Sequence, residues 1–169
     1  MEVSENKDDI DEVAKSVLET LLSLMEVSAS VVPSAALLPG GGEEGATDSI
    51  TLEIEGEDLG ILIGRHGQTL SCLQYIVRLI VGHQTKVWLP IIIDVEGYKR
   101  RRYDALQALA WRMAEMVKTR GEPFALEPMS AFDRRIIHLA LADHPDVTTQ
   151  SSGEGEARKV VILPKEQFA

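Results

Sequence analysis

Ile61-Leu62-Ile63-Gly64-Arg65-His66-Gly67-Gln68-Thr69-Leu70 sets two glycines three positions apart between two apolar segments, and the segments flanking that turn define the fold. Upstream, Ile50, Leu52 and Ile54 alternate with Thr51, Glu53 and Glu55 in the two-residue period of a strand with one buried face. Gly56 ends it, and a short helix runs to Gly64. Downstream, Leu70, Leu73, Val77 and Ile80 recur at helical spacing with Ile76 on the same side, which predicts an amphipathic helix from Gln68 to Val81. A strand is predicted from Lys86 to Val95. Glycine tolerates positive φ and close approach of another backbone, so Gly64 and Gly67 suit a sharp turn from which Arg65 and His66 point outward. The first amides of the following helix have no partner within it and carry the positive end of its dipole, which favours an anion there. The plain alternative is a helical hairpin in which Gly64 caps one helix and Gly67 opens the next.

The order strand, helix, Gly-x-x-Gly, helix, strand resembles that of a KH domain, whose loop clamps about four nucleotides by their backbone. Ahead of it, Asp8, Asp9, Asp11 and Glu12 favour a helix N-terminus, and Ile10, Val13, Val17, Leu18, Leu21 and Leu24 form an apolar stripe up to about Met25. Ser28 to Val32 reads as a short strand, and Pro33 to Asp48, with its Pro39-Gly40-Gly41-Gly42 run, as a flexible loop. A helix and strand placed there resemble the second, bacterial type of KH domain, in which they complete the sheet. The alternative is a separate docking helix tethered by the glycine run. The expected division is residues 1–47 as helix and loop belonging to the KH fold and 48–96 as its core.

The net charge of −10 is unevenly distributed. Residues 1–58 hold two lysines against fifteen acids, a net −13, whereas 59–169 hold fifteen Lys and Arg against twelve acids, a net +3. Every arginine lies behind the strand at Ile50, so a polyanion would meet the rear part of the chain, with modest affinity. The lone Cys72 can form no internal disulfide and is expected as a small buried hydrophobe in a reducing compartment. No signal peptide or membrane-length apolar run is read in the chain, so a cytoplasmic protein without membrane insertion is expected.

Tyr103, Leu106, Leu109, Ala110, Met113 and Val117 predict a helix from Tyr98 to Lys118, expected as a connector over residues 97–122. Its first turn carries Lys99, Arg100, Arg101 and Arg102, which the helix dipole disfavours unless acids or an outside anion compensate. These cations are either a solvated face paired with Asp94, Glu96 and Asp104 or contacts to RNA phosphates.

Behind it, Ser130 and Asp133 stand at capping-box spacing and mark a helix start. Phe132, Ile136 and Ala140 define a packing face with Ile137 at its edge, while Arg134 and His138 are neighbours on another face with Arg135 beside them. Val147 to Gln150 and Lys159 to Leu163 predict a hairpin around Ser152-Gly153-Glu154-Gly155-Glu156. The Arg-x-x-x-His pair followed by this hairpin resembles the R-three-H domain, a small fold that binds single-stranded nucleic acid, here over 123–169. Arg can fork onto a phosphate and His can stack or donate. Alternatively, His138 is an unliganded surface histidine and Arg134 pairs with Asp133 or Glu127.

Together the motifs resemble the bacterial Jag family, also called KhpB or EloR, over residues 50 to 165. The fold class implied is α+β: a type II KH domain, a three-stranded sheet with helices on one face, followed by a small α/β R-three-H domain. The resemblance implies a single-stranded RNA-binding regulator or RNA chaperone that works with a small KH-domain protein and is linked to cell elongation and peptidoglycan homeostasis. The RNA-binding residues expected are Gly64, Arg65, His66, Gly67, Lys99, Arg100, Arg101, Arg102, Arg134, Arg135 and His138. Family members often carry a further N-terminal domain and charged linker, for which this sequence has no room before its KH segment, which puts the functions of that part, membrane or regulatory contacts included, in doubt for this chain. Alternatives are a scaffold whose KH surface dimerises, by self-association around Ile61 to Gly67, and a single-stranded DNA binder. An enzyme is not expected, nor a cofactor or metal: His66, His83, His138 and His144 have no partners at metal-ligand spacing, and no nucleotide-binding loop occurs.

Overall fold

The computed structural model describes residues 2–34 and 49–165, and the chain divides between Lys99 and Arg100 into two compact units. The first unit runs α1 (Glu2–Leu24), β1 (Ala29–Pro33), β2 (Ile50–Gly56), α2 (Gly60–Ile63), a single 3-10 turn (Arg65–Gly67), α3 (Gln68–Thr85) and β3 (Ile91–Val95). β2 is the central strand, antiparallel to β1 with Val31 opposite Ile54, and parallel to β3 with Leu52 opposite Ile93. A parallel pair needs a crossover between its strands, and α2, the glycine turn and α3 supply it. This is the type II KH arrangement, with the leading helix and strand built into the fold.

Ile50, Leu52 and Ile54 turn inward onto Leu70, Leu73, Val77 and Val81 of α3 and onto α1. A fully buried leucine such as Leu18 contributes about 1.5–3 kcal/mol relative to an exposed one. Along α1 the buried line is Ile10, Ala14, Leu18 and Leu22, while Val13, Val17 and Leu21 flank it and Leu24 is exposed. The small Ala14 lies on the contact line, which rotates the helix from the face that large side chains alone predicted. On α3, Ile76 and Cys72 are both exposed, contrary to expectation, because Leu73, Val77 and Val81 take the inward positions. The predicted strand start at Lys86 also moves: α3 continues to Thr85, Lys86 adopts a left-handed conformation as its C-cap, and β3 begins after Pro90. Of the predicted flexible loop, Pro33 ends β1 and residues 35–48 lie outside the described residues.

The remaining elements are α4 (Tyr98–Arg120), β4 (Phe124–Ala125), α5 (Ala131–Ala140), β5 (Val147–Ser152) and β6 (Lys159–Pro164). Their sheet is antiparallel in the order β4-β6-β5, and the hairpin brings Thr149 opposite Ile162 and Ser151 opposite Val160. Leu106, Ala110, Ala114 and Val117 of α4 share one core with Ile136, Ile137, Leu141, Val147, Val160 and Ile162, so this long helix is structural to the second unit along most of its length. Phe132, expected to pack, is 42% exposed because Asp133 takes the inward position at that turn of α5.

Candidate nucleic-acid interface

In the first unit, the glycines are required by the turn itself. Gly64 has φ 68° and ψ −168°, a region open essentially to glycine alone, and a Cβ there would overlap the Thr69 hydroxyl and stand 2.7 Å from Thr69 Cβ. Gly67 has φ 80° and is buried, where a Cβ would come within 3.0 Å of the Tyr98 ring. Their necessity is therefore partly internal, beyond any approach of a ligand. Between them Arg65 is exposed and His66 half-buried, the latter with φ 52°. No side chain caps α3 at Gly67, so its first amides meet the loop surface without a side-chain acceptor at that position. Ile61, strongly exposed, adds an apolar contact beside them.

The cations opening α4 are largely engaged within the protein. The Lys99 ammonium is half-buried and donates to Gln74 Oε1 at 2.7 Å; burial lowers its pKa against the opposing attraction of Asp94 and Glu53. The Asp94 carboxylate accepts from the backbone N–H of Lys99 and of Val95, closing the helix start. Arg100 meets Asp104 at 3.3 Å on the surface, Arg101 is exposed, and Arg102 holds the buried Asp133 carboxylate at 2.8 Å. On the sheet's outer side Glu53, Glu55 and Glu96 gather around Gly97. Burial, followed by the nearby carboxylates, raises the Glu53 pKa despite a hydrogen bond from Gly97. That face repels phosphate.

In the second unit, Ser130 Oγ accepts from Asp133 N at 3.1 Å and caps α5, but the Asp133 carboxylate turns to Arg102 and leaves the capping box half made. Arg134 donates to the Met129 carbonyl at 2.8 Å, which fixes its head, and Arg135 is exposed. His138 meets Thr149 Oγ1 through Nδ1 at 2.7 Å and Ser151 Oγ through Nε2 at 2.9 Å. Its pKa is lowered, first by burial and then by Arg134, which favours the neutral ring. The structure thus brings Arg134, His138, Thr149 and Ser151 together. The two hydroxyl residues were not singled out from sequence, although their alternation along β5 puts them on one face.

Two small α+β modules, one with a Gly-x-x-Gly turn at a helix start and one with an Arg-His pair facing a hairpin, are the arrangement of a KH domain followed by an R-three-H domain. The KH domain model of KhpA/KhpB matches residues 41–92, and the R-three-H domain model matches 104–164, most of α4 included. The RNA-binding protein KhpB of Clostridium symbiosum is 41% identical over 118 residues, covering 70% of this chain and 53% of that relative. The KhpB of Bacillus subtilis (strain 168) is 34% identical over 119 residues, 69% of this chain and 57% of the relative. That of Streptococcus pneumoniae serotype 2 (strain D39) is 29% identical over 157 residues, 91% and 45% respectively. The chain belongs to the KhpB family, also called Jag, and spans about half the length of these curated relatives. Among the described residues no helix is long and apolar enough to cross a membrane, and no group of three or more His, Cys, Asp or Glu could hold a metal ion.

Proposed function

We propose that this chain binds single-stranded RNA at two places, the Gly64–Gly67 turn with Arg65 and His66, and the α5 face carrying Arg134, Arg135 and His138. It acts as a cytoplasmic RNA chaperone or post-transcriptional regulator linked to cell elongation and peptidoglycan homeostasis. The observation that carries the reading is the turn: two conformationally constrained glycines hold an exposed arginine ahead of a helix start that no side chain among the described residues caps. Among the α4 cations we assign the added phosphate contacts to the exposed Arg100 and Arg101, since Lys99 and Arg102 are engaged with Gln74 and Asp133. The functional division we propose is a KH module over 1–96 with its core at 48–96, and an R-three-H module over 123–169 against which the helix of 97–122 packs. A titration of RNA, DNA and duplex oligonucleotides of increasing length tests this. Strands of about four nucleotides bind weakly at the KH loop and longer ones more tightly through effective concentration. Arg134→Ala with His138→Ala removes the length advantage. Equal affinity for duplex and single strands contradicts the reading.

A specific surface also favours a protein partner. Tyr75, Ile76 and Leu79 are all exposed along one side of α3, an apolar stripe at helical spacing that soluble single chains rarely leave open. A small KH-domain protein, or a second copy of this chain, is the proposed occupant. Ile76→Glu is expected to abolish association measured by sedimentation while leaving the melting temperature unchanged, and undiminished association would exclude this face.

A further inference from the structure

His138 has no ring nitrogen left for a ligand. Nδ1 and Nε2 are both engaged with hydroxyls of β5, at 2.7 and 2.9 Å. A neutral imidazole offers one N–H and one lone pair, so one hydroxyl donates to the ring and the other accepts from it. The accepting hydroxyl keeps its own O–H to donate elsewhere. Both Thr149 and Ser151 are half-exposed, so that proton can reach a molecule at the surface.

The backbone of the same two residues points the same way. Lys165 N–H donates to the Asp146 carbonyl, and bonded and non-bonded pairs alternate along an antiparallel ladder, so Thr148, Gln150 and Ser152 are the residues that bond to β6. Leu126 N–H donates to the Val160 carbonyl from the other side, in agreement, since Val160 stands opposite Ser151. The N–H groups of Thr149 and Ser151 therefore face the open edge of β5, which pairs with no further strand among the described residues. Arg134, whose charge acts on the ring, uses one of its five N–H donors on Met129 and keeps the others.

We infer that Thr149 and Ser151 are the groups of the R-three-H domain that touch the sugar-phosphate backbone of a single strand, and that His138 acts through them as a positioning residue. The inference rests on the proposed RNA-binding reading and changes which atoms do the binding. Neutral hydroxyl and amide donors suit phosphate and 2′-hydroxyl oxygens without reading a base, and Arg134 supplies the charge. The imidazole sets the direction of the hydroxyl protons from behind.

The test uses the full chain and a fluorescent single-stranded RNA of mixed sequence, about twelve nucleotides long. Thr149→Val with Ser151→Ala keeps side-chain shape and lowers affinity about tenfold, the contribution of one hydrogen bond to a charged group. The salt slope stays as in wild type because no cation is removed, whereas Arg134→Ala lowers it by about 0.7. Each single change is measured as well, so that a poorly folded double variant does not decide the result. His138→Gln places an amide near the level of Nε2 and recovers much of the affinity lost in His138→Ala, but only where Ser151 is retained. The inference is overturned if the hydroxyl variants bind within about twofold of wild type while His138→Ala loses tenfold, since the imidazole then meets the RNA itself. If the changes at Arg134, His138, Thr149 and Ser151 all leave affinity unaltered, the second RNA site of the proposed function falls with it, while the KH loop stands.

Discussion

Replacing Arg65 and His66 together by Asp takes the tip of the glycine turn from one positive charge to two negative ones, a change of three units, with His66 counted as neutral. A unit charge about 4 Å from a phosphate contributes roughly 1 kcal/mol in water, so the change opposes binding by about 3 kcal/mol, or a hundredfold in affinity. The fold has little reason to respond. Arg65 is exposed, and His66 already has φ 52°, a left-handed conformation that Asp adopts more readily than most residues. Gly64 and Gly67, whose geometry closes the turn against Thr69 and Tyr98, are untouched. Fluorescence anisotropy with a single-stranded RNA, beside circular dichroism and thermal melting, separates the two quantities. The expected result is a wild-type melt with affinity reduced about a hundredfold, and a salt slope lower by about 0.7 for the lost arginine contact. A folded double variant with unaltered affinity would remove the turn from the binding surface.

Other perturbations act on the fold. Asp133→Asn leaves the Arg102 guanidinium half-buried without its charge partner and is expected to destabilise the second unit by about 2–3 kcal/mol in chemical denaturation, at the low end for such pairs because Arg102 is partly solvated. An unmoved midpoint would show that solvent already satisfies Arg102. Gly64→Ala costs about 1–3 kcal/mol of backbone strain alone and lowers the melting temperature, unlike the Arg65 and His66 changes; an unchanged melt would mean that the turn leaves this backbone conformation at no cost. The depressed pKa of His138 means that the folded chain binds its proton less readily than the unfolded chain. Stability from this group is therefore complete above about pH 6.5 and is lost as pH falls through the lower folded value, a slope that should be absent in His138→Gln. Equal pH slopes in wild type and variant would place the titration elsewhere.

The periodic features carried the fold in the sequence. Three alternating aliphatics made β2 legible, and two glycines flanked by helical spacing made the crossover legible, because a strand or helix with one buried face must repeat at its own period. The hairpin of β5 and β6 was equally clear from its glycine-rich turn. What escaped was set by partners distant in sequence. β4 is only two residues long and exists through its pairing with β6. Asp133 looks like a capping residue until Arg102, thirty-one positions earlier, is seen to hold it. The inward turn of that aspartate is also why Phe132 faces solvent. The basic run at the start of α4 reads as one surface in sequence, yet a helix distributes its members around the axis, so Lys99 reaches Gln74, Arg102 reaches Asp133, and Arg100 remains at the surface. Likewise, the spacing of Arg134 and His138 disclosed a shared face, but not that the imidazole would be fully occupied by Thr149 and Ser151.

Ultraviolet crosslinking in cells, followed by sequencing of the recovered nucleic acid from wild type and the Arg65→Asp, His66→Asp variant expressed at equal levels, measures whether the glycine turn brings single-stranded RNA to this chain. Abundant single-stranded RNA fragments are expected crosslinked to the wild type, with strong depletion in the folded variant. Recovery of equal RNA from both, or of none from either, would contradict that role of the turn.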